Sequence, residues 1–475
     1  MLQGIFPTKW KQSIITPLLK KVNLPLQLSN YRPVSGLSFA SKLIEKAALK
    51  QIMPYLERSN LYAKYNSAYR KFHSTETLLL KINSDILNNM DRQRVTIVVL
   101  LDLSAAFDTV DHNKLQDTLK YRFKITGPAL DWFMSYLSNR TFRVKVKDCL
   151  SENFDLPHGV PQGSCMGPVA FLIYISCLYD ISDAHSMSLH GYADDNQLVL
   201  SFVPNIENQK TSFLTMESCI NEIRSFFLLN DLKINDSKTE IIIFGTKQQL
   251  NNIDLHIGNS NIKISSSVCN LGIVMDKNLT MLNQISNTCK KSFFQLRKIR
   301  QLRKYLDENT THSLTHALIS STIDYCNSLY YNLPNAQLKK LQTVQNTAAR
   351  TISYTPKFSH ITPVLKQLHW LPVKYRIIYK IALLTYKTLH NMSPAYLRNM
   401  LIEYSPTRTL RSANENLLVI PRINTNLGSR SFSYAAPSIW QSLPRELRGV
   451  PGDRLSTFKC LLKFHLFNIA YNPQK

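Results

Sequence analysis

The sequence predicts an α+β protein in which an antiparallel sheet lies between largely helical regions. Three observations support this fold class. The run 95–101 (V-T-I-V-V-L-L) is apolar and mostly β-branched, as expected for a strand buried on both faces. Two short apolar runs at 187–191 and 197–202 flank a tight turn, which predicts a β-hairpin. After about residue 276 the strand signals fade.

From the start of the chain, residues 1–94 are predicted to be mostly helical, with loops around Arg32-Pro33 and at 69–74. Ser74 is a suitable N-cap for a helix that follows this second loop. Helical periodicity or an apolar run after a turn predicts a helix in each of five later segments, namely 168–178, 212–229, 290–300, 338–352 and 375–390.

Three carboxylates are predicted to meet where strands end. Asp102 follows the buried run directly, and Asp194 and Asp195 occupy the hairpin turn. Neighbouring carboxylates repel each other unless a cation lies between them. Mg²⁺ suits such a place, because it is usually held by one or two carboxylates together with substrate phosphates. Two such ions, about 3.5–4 Å apart, would clamp the attacking and leaving oxygens of a phosphoryl displacement.

The alternative for Asp102 is a structural one, in which its side chain caps the following helix. Ser104 is an equally good cap and would leave Asp102 free for a metal ion. For Asp108 and Asp111, capping or starting this helix is favoured over metal binding.

Three motifs occur together and in order: D-L-S-A-A-F-D at 102–108, G-V-P-Q-G-S at 159–164 and Y-A-D-D at 192–195. They resemble the central motifs of reverse transcriptases, and more narrowly those of non-LTR (LINE-type) retrotransposon polymerases of the jockey and chicken-repeat kind. The resemblance extends over nearly the whole chain. It implies a right-hand polymerase fold with an antiparallel-sheet palm, mostly helical fingers and a basic helical thumb.

The resemblance also implies domain boundaries, with the fingers at 1–94 and the palm at 95–275. The reverse transcriptase domain would therefore cover about 1–275. A helical thumb would follow at 276–400, and 401–475 would form a basic C-terminal region in which both packing and nucleic-acid binding remain open.

Catalytic roles follow from the same resemblance. Asp102 and Asp194 would hold two Mg²⁺ ions, with Mn²⁺ as the alternative, and the backbone carbonyl of Leu103 would add a ligand. Asp195 would support the site. Phe107 would exclude a 2′-hydroxyl by shape and so select deoxynucleotides, although a Phe at the start of a helix is often only buried. Gln162 would contact the incoming nucleotide and the template–primer.

Cationic side chains are implied to hold the nucleotide phosphates. Arg70, supported by Arg32 or Lys71, would bind the triphosphate, because an Arg fork matches phosphate geometry. Lys238 would protonate or steady the leaving pyrophosphate, although a surface lysine beside a strand is an equally simple interpretation.

Two further elements would bind the nucleic acid. Leu271 and Gly272 lie in a segment that resembles the primer grip, although Asn270 stands where the family often has an aromatic residue. The thumb would track the minor groove of an RNA–DNA hybrid. Its basic helix supplies the template–primer-binding candidates Lys290, Lys291, Arg297, Lys298 and Arg300.

The net charge of +25 is unevenly distributed. Residues 1–276 contain 29 Lys+Arg and 25 Asp+Glu, whereas residues 277–475 contain 28 and 7. The second part is therefore the electrostatic footprint for a polyanion. The expected partners are an RNA template, a DNA primer, their hybrid and dNTPs.

Other features narrow the cellular context. No apolar stretch of 18 residues occurs, so no membrane partner is expected. The start of the chain does not resemble a signal peptide, and no Cys-x-x-Cys pair occurs. We therefore expect an intracellular protein of the cytoplasm, the nucleus or both. Its oligomeric state does not follow from the sequence.

The main hypothesis is an RNA-directed DNA polymerase. One alternative is a catalytically inert, nucleic-acid-binding remnant of a truncated retrotransposon, since the family's endonuclease has no counterpart before the fingers motifs. An RNA-dependent RNA polymerase would share the metal site, but the bulky Phe107 argues against it.

Overall fold

The computed structural model describes residues 3–21, 23–104, 107–251, 264–405 and 416–472. The strands are β1 (Gln12–Leu19), β2 (Tyr31–Gly36), β3 (Val95–Leu101), β4 (Leu103–Ser104), β5 (Thr141–Val146), β6 (Cys149–Leu150), β7 (Phe154–Asp155), β8 (Ser188–Tyr192), β9 (Asp195–Phe202), β10 (Lys233–Ile234), β11 (Glu240–Phe244), β12 (Ser267–Asn270) and β13 (Ile273–Asp276).

The α-helices are α1 (Phe39–Arg58), α2 (Thr75–Asp91), α3 (His112–Asp117), α4 (Pro128–Leu137), α5 (Gly167–Tyr174), α6 (Leu178–Ala184), α7 (Ile206–Leu229), α8 (Lys247–Asn251), α9 (Leu282–Leu302), α10 (Glu308–Thr315), α11 (Ser321–Asp324), α12 (Asn335–Ser353), α13 (Thr362–Gln367), α14 (Val373–Leu389), α15 (Ala395–Arg398), α16 (Phe432–Ser442), α17 (Arg445–Arg448) and α18 (Leu455–Tyr471). Among the described residues, no helix combines the length and apolar character needed to cross a bilayer.

The central sheet has the strand order β11–β3–β9–β8, and each neighbouring pair is antiparallel. The buried strand and the hairpin predicted from the sequence are both present. Helices pack on this sheet, so the predicted α+β class with an antiparallel palm sheet is confirmed.

Strand β3 explains why its sequence is continuously apolar. Successive side chains of a strand point to opposite faces. Val98 belongs to a core that also contains α2 residues, whereas Ile97 and Val99 belong to a second core that contains residues of α5 and α7. The strand is therefore covered on both sides, and Asp102 emerges directly after it.

A second sheet was not predicted. Its order is β2–β1–β5–β6, with β7 also paired to β5, and β1 and β5 run parallel. The loop predicted around Arg32-Pro33 is wrong, because this segment is the edge strand β2. Pro33 lies opposite Pro17 of β1. Pro17 in turn lies outside the part of β1 that pairs with β5. Both prolines therefore occupy positions where a missing N–H breaks no central ladder.

Two local predictions also need correction. Ser104 lies in β4, paired with Lys233 of β10, and not at the start of a helix, since α3 begins at His112. Asp111 caps α3 instead, since its side chain accepts a hydrogen bond from the Lys114 amide at 2.9 Å. The helix predicted over 168–178 ends at Tyr174, and α6 begins at Leu178.

The remaining predicted helices are present. Segment 212–229 lies in α7, and the segments 290–300 and 338–352 lie in α9 and α12; the segment predicted to end at 390 lies in α14, which ends one residue earlier, at Leu389. Ser74 caps α2 as expected, in a reciprocal capping box with Thr77.

Candidate active site

The two carboxylates of the palm hairpin lie at its turn. Tyr192 is paired with Asp195, so Ala193 and Asp194 form the two-residue loop between β8 and β9. Ala193 has a φ of +60°, a left-handed conformation that non-glycine residues adopt rarely and at an energetic cost. The buried Asn196 side chain donates to the Asp194 carbonyl oxygen at 3.2 Å. The turn is thus held in a strained conformation that exposes Asp194 and Asp195.

The three predicted carboxylates act on one another. The pKa of Asp195 is raised to about 6, first by desolvation and then by the negative charges of Asp194 and Asp102. Strand pairing accounts for this proximity, because Leu101 lies opposite Asn196 and Asp102 is the next residue. A cation would relieve this repulsion.

Lys238 lies at the same site. Its ammonium nitrogen is 3.3 Å from an Asp102 carboxylate oxygen, and the side chain is otherwise largely exposed. The Asn235 amide donates to the Asp102 carbonyl oxygen at 2.9 Å, which places the segment between β10 and β11 against the carboxylates. Among the described residues, no three His, Cys, Asp or Glu side chains are grouped so that they could hold a metal ion by themselves.

The donor chemistry nevertheless suits Mg²⁺, which needs only one or two carboxylates when substrate phosphates complete its shell. Asp102 and Asp194 are the side chains that would hold it. Leu103, the predicted backbone ligand, pairs with Ile234 between β4 and β10.

Phe107 and the Gly159–Gly163 loop form one unit. The Val160 amide donates to the Phe107 carbonyl oxygen at 2.8 Å. The Gln162 side chain lies 3.2 Å from both carboxylate oxygens of Asp108. A Cβ on Gly159 would lie 2.6 Å from the Asp108 carbonyl oxygen, so this close approach requires glycine.

The same loop is anchored to the fingers. The Ser35 amide of β2 donates to the Gln162 carbonyl oxygen at 2.7 Å. Strand β2 also carries Arg32, whose side chain is exposed. The structure therefore brings Arg32, Phe107 and Gln162 to neighbouring segments.

A buried acid that sequence reasoning missed supports this loop. The fully buried Glu45 of α1 accepts hydrogen bonds from the Cys165 and Met166 amides at 2.6 and 3.0 Å. These donors lie at the N-terminus of α5, where a negative charge is favourable. The contact joins residues that are 120 positions apart in the chain, so no local pattern signals it.

The predicted primer grip is the hairpin of β12 and β13. Leu271 and Gly272 form its turn, with φ values of +44° and +83°. The Leu271 carbonyl oxygen accepts a hydrogen bond from the Tyr325 hydroxyl of the thumb at 2.7 Å.

Comparison with known proteins agrees with this geometry. The family described as "Reverse transcriptase (RNA-dependent DNA polymerase)" matches residues 19–275, which is more than half of the chain. The chain belongs to the reverse transcriptase family. Members of this family are nucleotidyltransferases that generally use divalent metal ions.

The relatives confirm the resemblance to non-LTR elements. The chain is 26% identical over 386 residues to the probable RNA-directed DNA polymerase from transposon BS of Drosophila melanogaster, a match that covers 78% of this chain and 41% of that protein. It is 23% identical over 379 residues to the RNA-directed DNA polymerase from mobile element jockey of the same species, covering 77% and 40%. The chain spans about two fifths of the length of these relatives.

A solved structure of apo telomerase from Candida Tropicalis is also similar. Its TM-score is 0.42 at 13% sequence identity, and the match covers 79% of this chain and 64% of that one.

Arg70 is engaged in its own loop. One guanidinium nitrogen donates to the carbonyl oxygens of Ala63 and Asn66 at 3.3 and 3.0 Å, and the group lies 4.5 Å from the Tyr62 ring centroid. Burial lowers the pKa of Arg70. Its neighbour Lys71 is exposed. The role of Arg70 in triphosphate binding stays a prediction.

Tyr69, which sequence analysis did not single out, lies within electrostatic reach of Asp194. Its pKa is raised, first by desolvation and then by the negative charge of Asp194. The residue has a φ of +56° and is about half exposed. In the sequence, Tyr69 was marked only by beginning the predicted loop at 69–74 and by preceding Arg70.

Helix α9 presents a basic stripe, which is formed by the five predicted template–primer-binding residues. Its buried face includes Ile285, Leu296 and Ile299. The five predicted template–primer-binding residues are all exposed, namely Lys290, Lys291, Arg297, Lys298 and Arg300. Lys298 also lies over the exposed Phe294 ring, 4.6 Å from its centroid.

Proposed function

We propose that this protein is an RNA-directed DNA polymerase, which extends a primer 3′-hydroxyl on an RNA template with dNTPs. The observation that carries the proposal is the strand pairing that sets Asp102 beside the turn of Asp194 and Asp195, with Leu101 opposite Asn196 and Tyr192 opposite Asp195. The loop carrying Gln162 and the segment carrying Phe107 are hydrogen-bonded to each other in the same core. Family membership supports the proposal that this combination is a polymerase site.

The chemistry is an attack of the primer 3′-hydroxyl on the α-phosphorus of a dNTP, with pyrophosphate as the leaving group. Asp102, Asp194 and the Leu103 carbonyl would hold two Mg²⁺ or Mn²⁺ ions, and Asp195 would support them. When bound, the ions supply charge neutralisation for the attacking and leaving oxygens. Lys238 provides a further positive charge beside Asp102 and would steady the pyrophosphate.

The nucleotide would be selected by the unit formed from Phe107 and the Gly159–Gly163 loop. The Phe107 ring is half-buried and lies 4.8 Å from the Phe171 ring, which limits its freedom to move aside. Asp108 orients the Gln162 side chain. Arg32, Lys71 and Arg70 remain the candidates for the triphosphate.

The nucleic-acid partners would be an RNA template, a DNA primer and their hybrid, held by the α9 stripe and the grip at Leu271 and Gly272. Residues 1–94 would act as fingers, 95–275 as palm and 276–400 as thumb. The predicted cytoplasmic or nuclear location is part of the same proposal.

Primer extension on an RNA template with dNTPs and Mg²⁺ tests the proposal. Asp194→Asn should reduce extension by at least about 100-fold, because it removes a charge that the transition state requires, while hybrid binding stays within twofold. Asp148→Asn, at an exposed turn between β5 and β6, is the matched control and should extend normally. Undiminished extension by Asp194→Asn would contradict the site assignment.

No extension by the unaltered protein, together with salt-sensitive hybrid binding, would favour the inert remnant instead. Extension with rNTPs rather than dNTPs would favour an RNA-dependent RNA polymerase.

A further inference from the structure

Two buried amide side chains join the catalytic hairpin to the hairpin of β12 and β13. The Gln197 amide nitrogen donates to the Asn270 side-chain oxygen at 2.7 Å, and the Asn270 amide nitrogen donates back to the Gln197 oxygen at 2.7 Å. Gln197 is 1% exposed and Asn270 is 3% exposed. The two hydrogen bonds form a closed ring that is shielded from water.

Their places in the chain give this pair its significance. Gln197 lies on β9 two residues after Asp195, so both side chains emerge from the same face of the strand. Asn270 ends β12 and directly precedes the Leu271-Gly272 turn. Each member of the pair is therefore next to a segment that the proposed reaction uses, yet neither is itself placed at the reacting atoms.

A second contact fixes the other side of the turn. The Tyr325 hydroxyl donates to the Leu271 carbonyl oxygen at 2.7 Å and lies 3.2 Å from the Thr75 hydroxyl at the start of α2. Tyr325 is partly exposed, whereas the amide pair is buried. The amide pair is thus the water-shielded link between the turn and the palm sheet.

We propose that Gln197 and Asn270 are positioning residues, which set the primer 3′ end at the correct distance from the catalytic carboxylates. A doubly hydrogen-bonded amide pair specifies distance and orientation together, and a shift of the β12–β13 hairpin by one residue would leave two buried amides without partners. The inference rests on the proposed polymerase function. It also gives the buried Asn270 amide a role.

Single-turnover nucleotide addition tests the role. Gln197→Leu and Asn270→Leu should each lower the maximum rate at least about tenfold, because misplacement of reacting groups slows chemistry. The Kd values for hybrid and dNTP should change less than twofold. The double Leu variant should be no slower than the slower single variant, since all three proteins lack the same pair. The exchanged pair Gln197→Asn/Asn270→Gln should recover part of the rate.

Gln345→Leu is the matched control. Gln345 is also a buried amide, but it bonds to the Leu371 carbonyl oxygen within the thumb. Its loss should lower stability without lowering the rate. Rates like those of the unaltered protein, losses that multiply in the double variant, or an equal loss in Gln345→Leu would each overturn the proposal.

Hydrogen–deuterium exchange provides a measurement that does not need activity. Amides in 267–276 should exchange faster in both single variants than in the unaltered protein, because the hairpin has lost its link to the palm. Unchanged exchange would overturn the positioning role even if the unaltered protein extends primers. Faster exchange in a protein that extends no primer would support the link and contradict only the proposed function.

Discussion

At the residue scale, the site carries an electrostatic cost that shows in its acid–base behaviour. The pKa of Asp195 is raised from 3.8 to about 6 by desolvation and by Asp194 and Asp102. Between these two pH values the folded protein binds more protons at Asp195 than the unfolded chain does. Stability from this group is therefore full at low pH and is lost as the pH rises toward about 6.

Asp195→Asn should accordingly raise the Tm at pH 7.5 in a metal-free buffer, because it removes one of three repelling charges. At pH 4.5 the gain should be much smaller, since Asp195 is then mostly protonated in the folded state. Thermal unfolding at the two pH values checks this. An equal gain at both would contradict the raised pKa.

Phe107 belongs to the same scale. Phe107→Val should lower the preference for dNTP over rNTP by at least about tenfold, because the smaller side chain leaves room for a 2′-hydroxyl. The ratio of kcat/KM for the two nucleotides measures it. Phe227→Val, in the same core but on α7, should cost stability and leave the preference unchanged. An unchanged preference in Phe107→Val would rule out the gate.

At the element scale, α9 links the predicted primer grip, which precedes it in the chain, to the predicted template–primer-binding residues on its own surface. Its start is organised by Asp276, which accepts hydrogen bonds from the amides of Asn278, Thr280 and Met281. The helix therefore has a fixed connection to the β12–β13 hairpin. Its basic stripe then leads away from the grip.

Lys290→Gln/Lys298→Gln should weaken hybrid binding and reduce the slope of log K against log salt by about 2, since each phosphate contact contributes roughly 1. Lys114→Gln is the control, because Lys114 is already neutralised by Asp231 at 2.6 Å. Binding titrations at several salt concentrations measure the slopes. A slope equal to that of the unaltered protein would show that α9 contacts no phosphate.

Elements differed in how far the sequence predicted them. The helices α7, α9, α12 and α14 were predictable because their apolar periodicity is local. The sheet of β1, β2 and β5 was not, because Pro17 and Pro33 resemble loop residues and β5 joins β1 from more than 120 residues away. Only the pairing shows that the prolines lie where a strand tolerates them.

At the scale of the whole molecule, the C-terminal region packs against the fingers helix α2. Asp91, at the end of α2, is buried and accepts hydrogen bonds from the Asn424 and Thr425 amides and from the Thr425 hydroxyl, at 2.7–3.1 Å. Phe432 and Trp440 share a core with α2 and the thumb. Residues 416–472 are therefore integrated into the fold, whereas 406–415 lie outside the described residues.

Asp91→Leu should lower the free energy of unfolding by about 2–3 kcal/mol, because it leaves buried donors without a charged acceptor. It should also accelerate protease cleavage within 416–472. Asp85→Leu, on the same helix, breaks only a partly exposed pair with Lys81 and should cost less than about 1 kcal/mol. Urea unfolding and limited proteolysis distinguish the two. Equal stability losses would mean that Asp91 does not fasten the C-terminal region.

The sequence by itself determined the α+β class, the buried strand β3, the hairpin and the family, because each depends on a local pattern or an ordered set of motifs. It also singled out the strand-end carboxylates as site candidates. Only the tertiary structure decided which distant side chains support these carboxylates and the neighbouring loop. The contacts of Glu45, of Tyr69 and of the Gln197–Asn270 pair join residues 73 to 125 positions apart in the chain. Such contacts arise when distant elements pack together, and no local periodicity or spacing in the sequence predicts them.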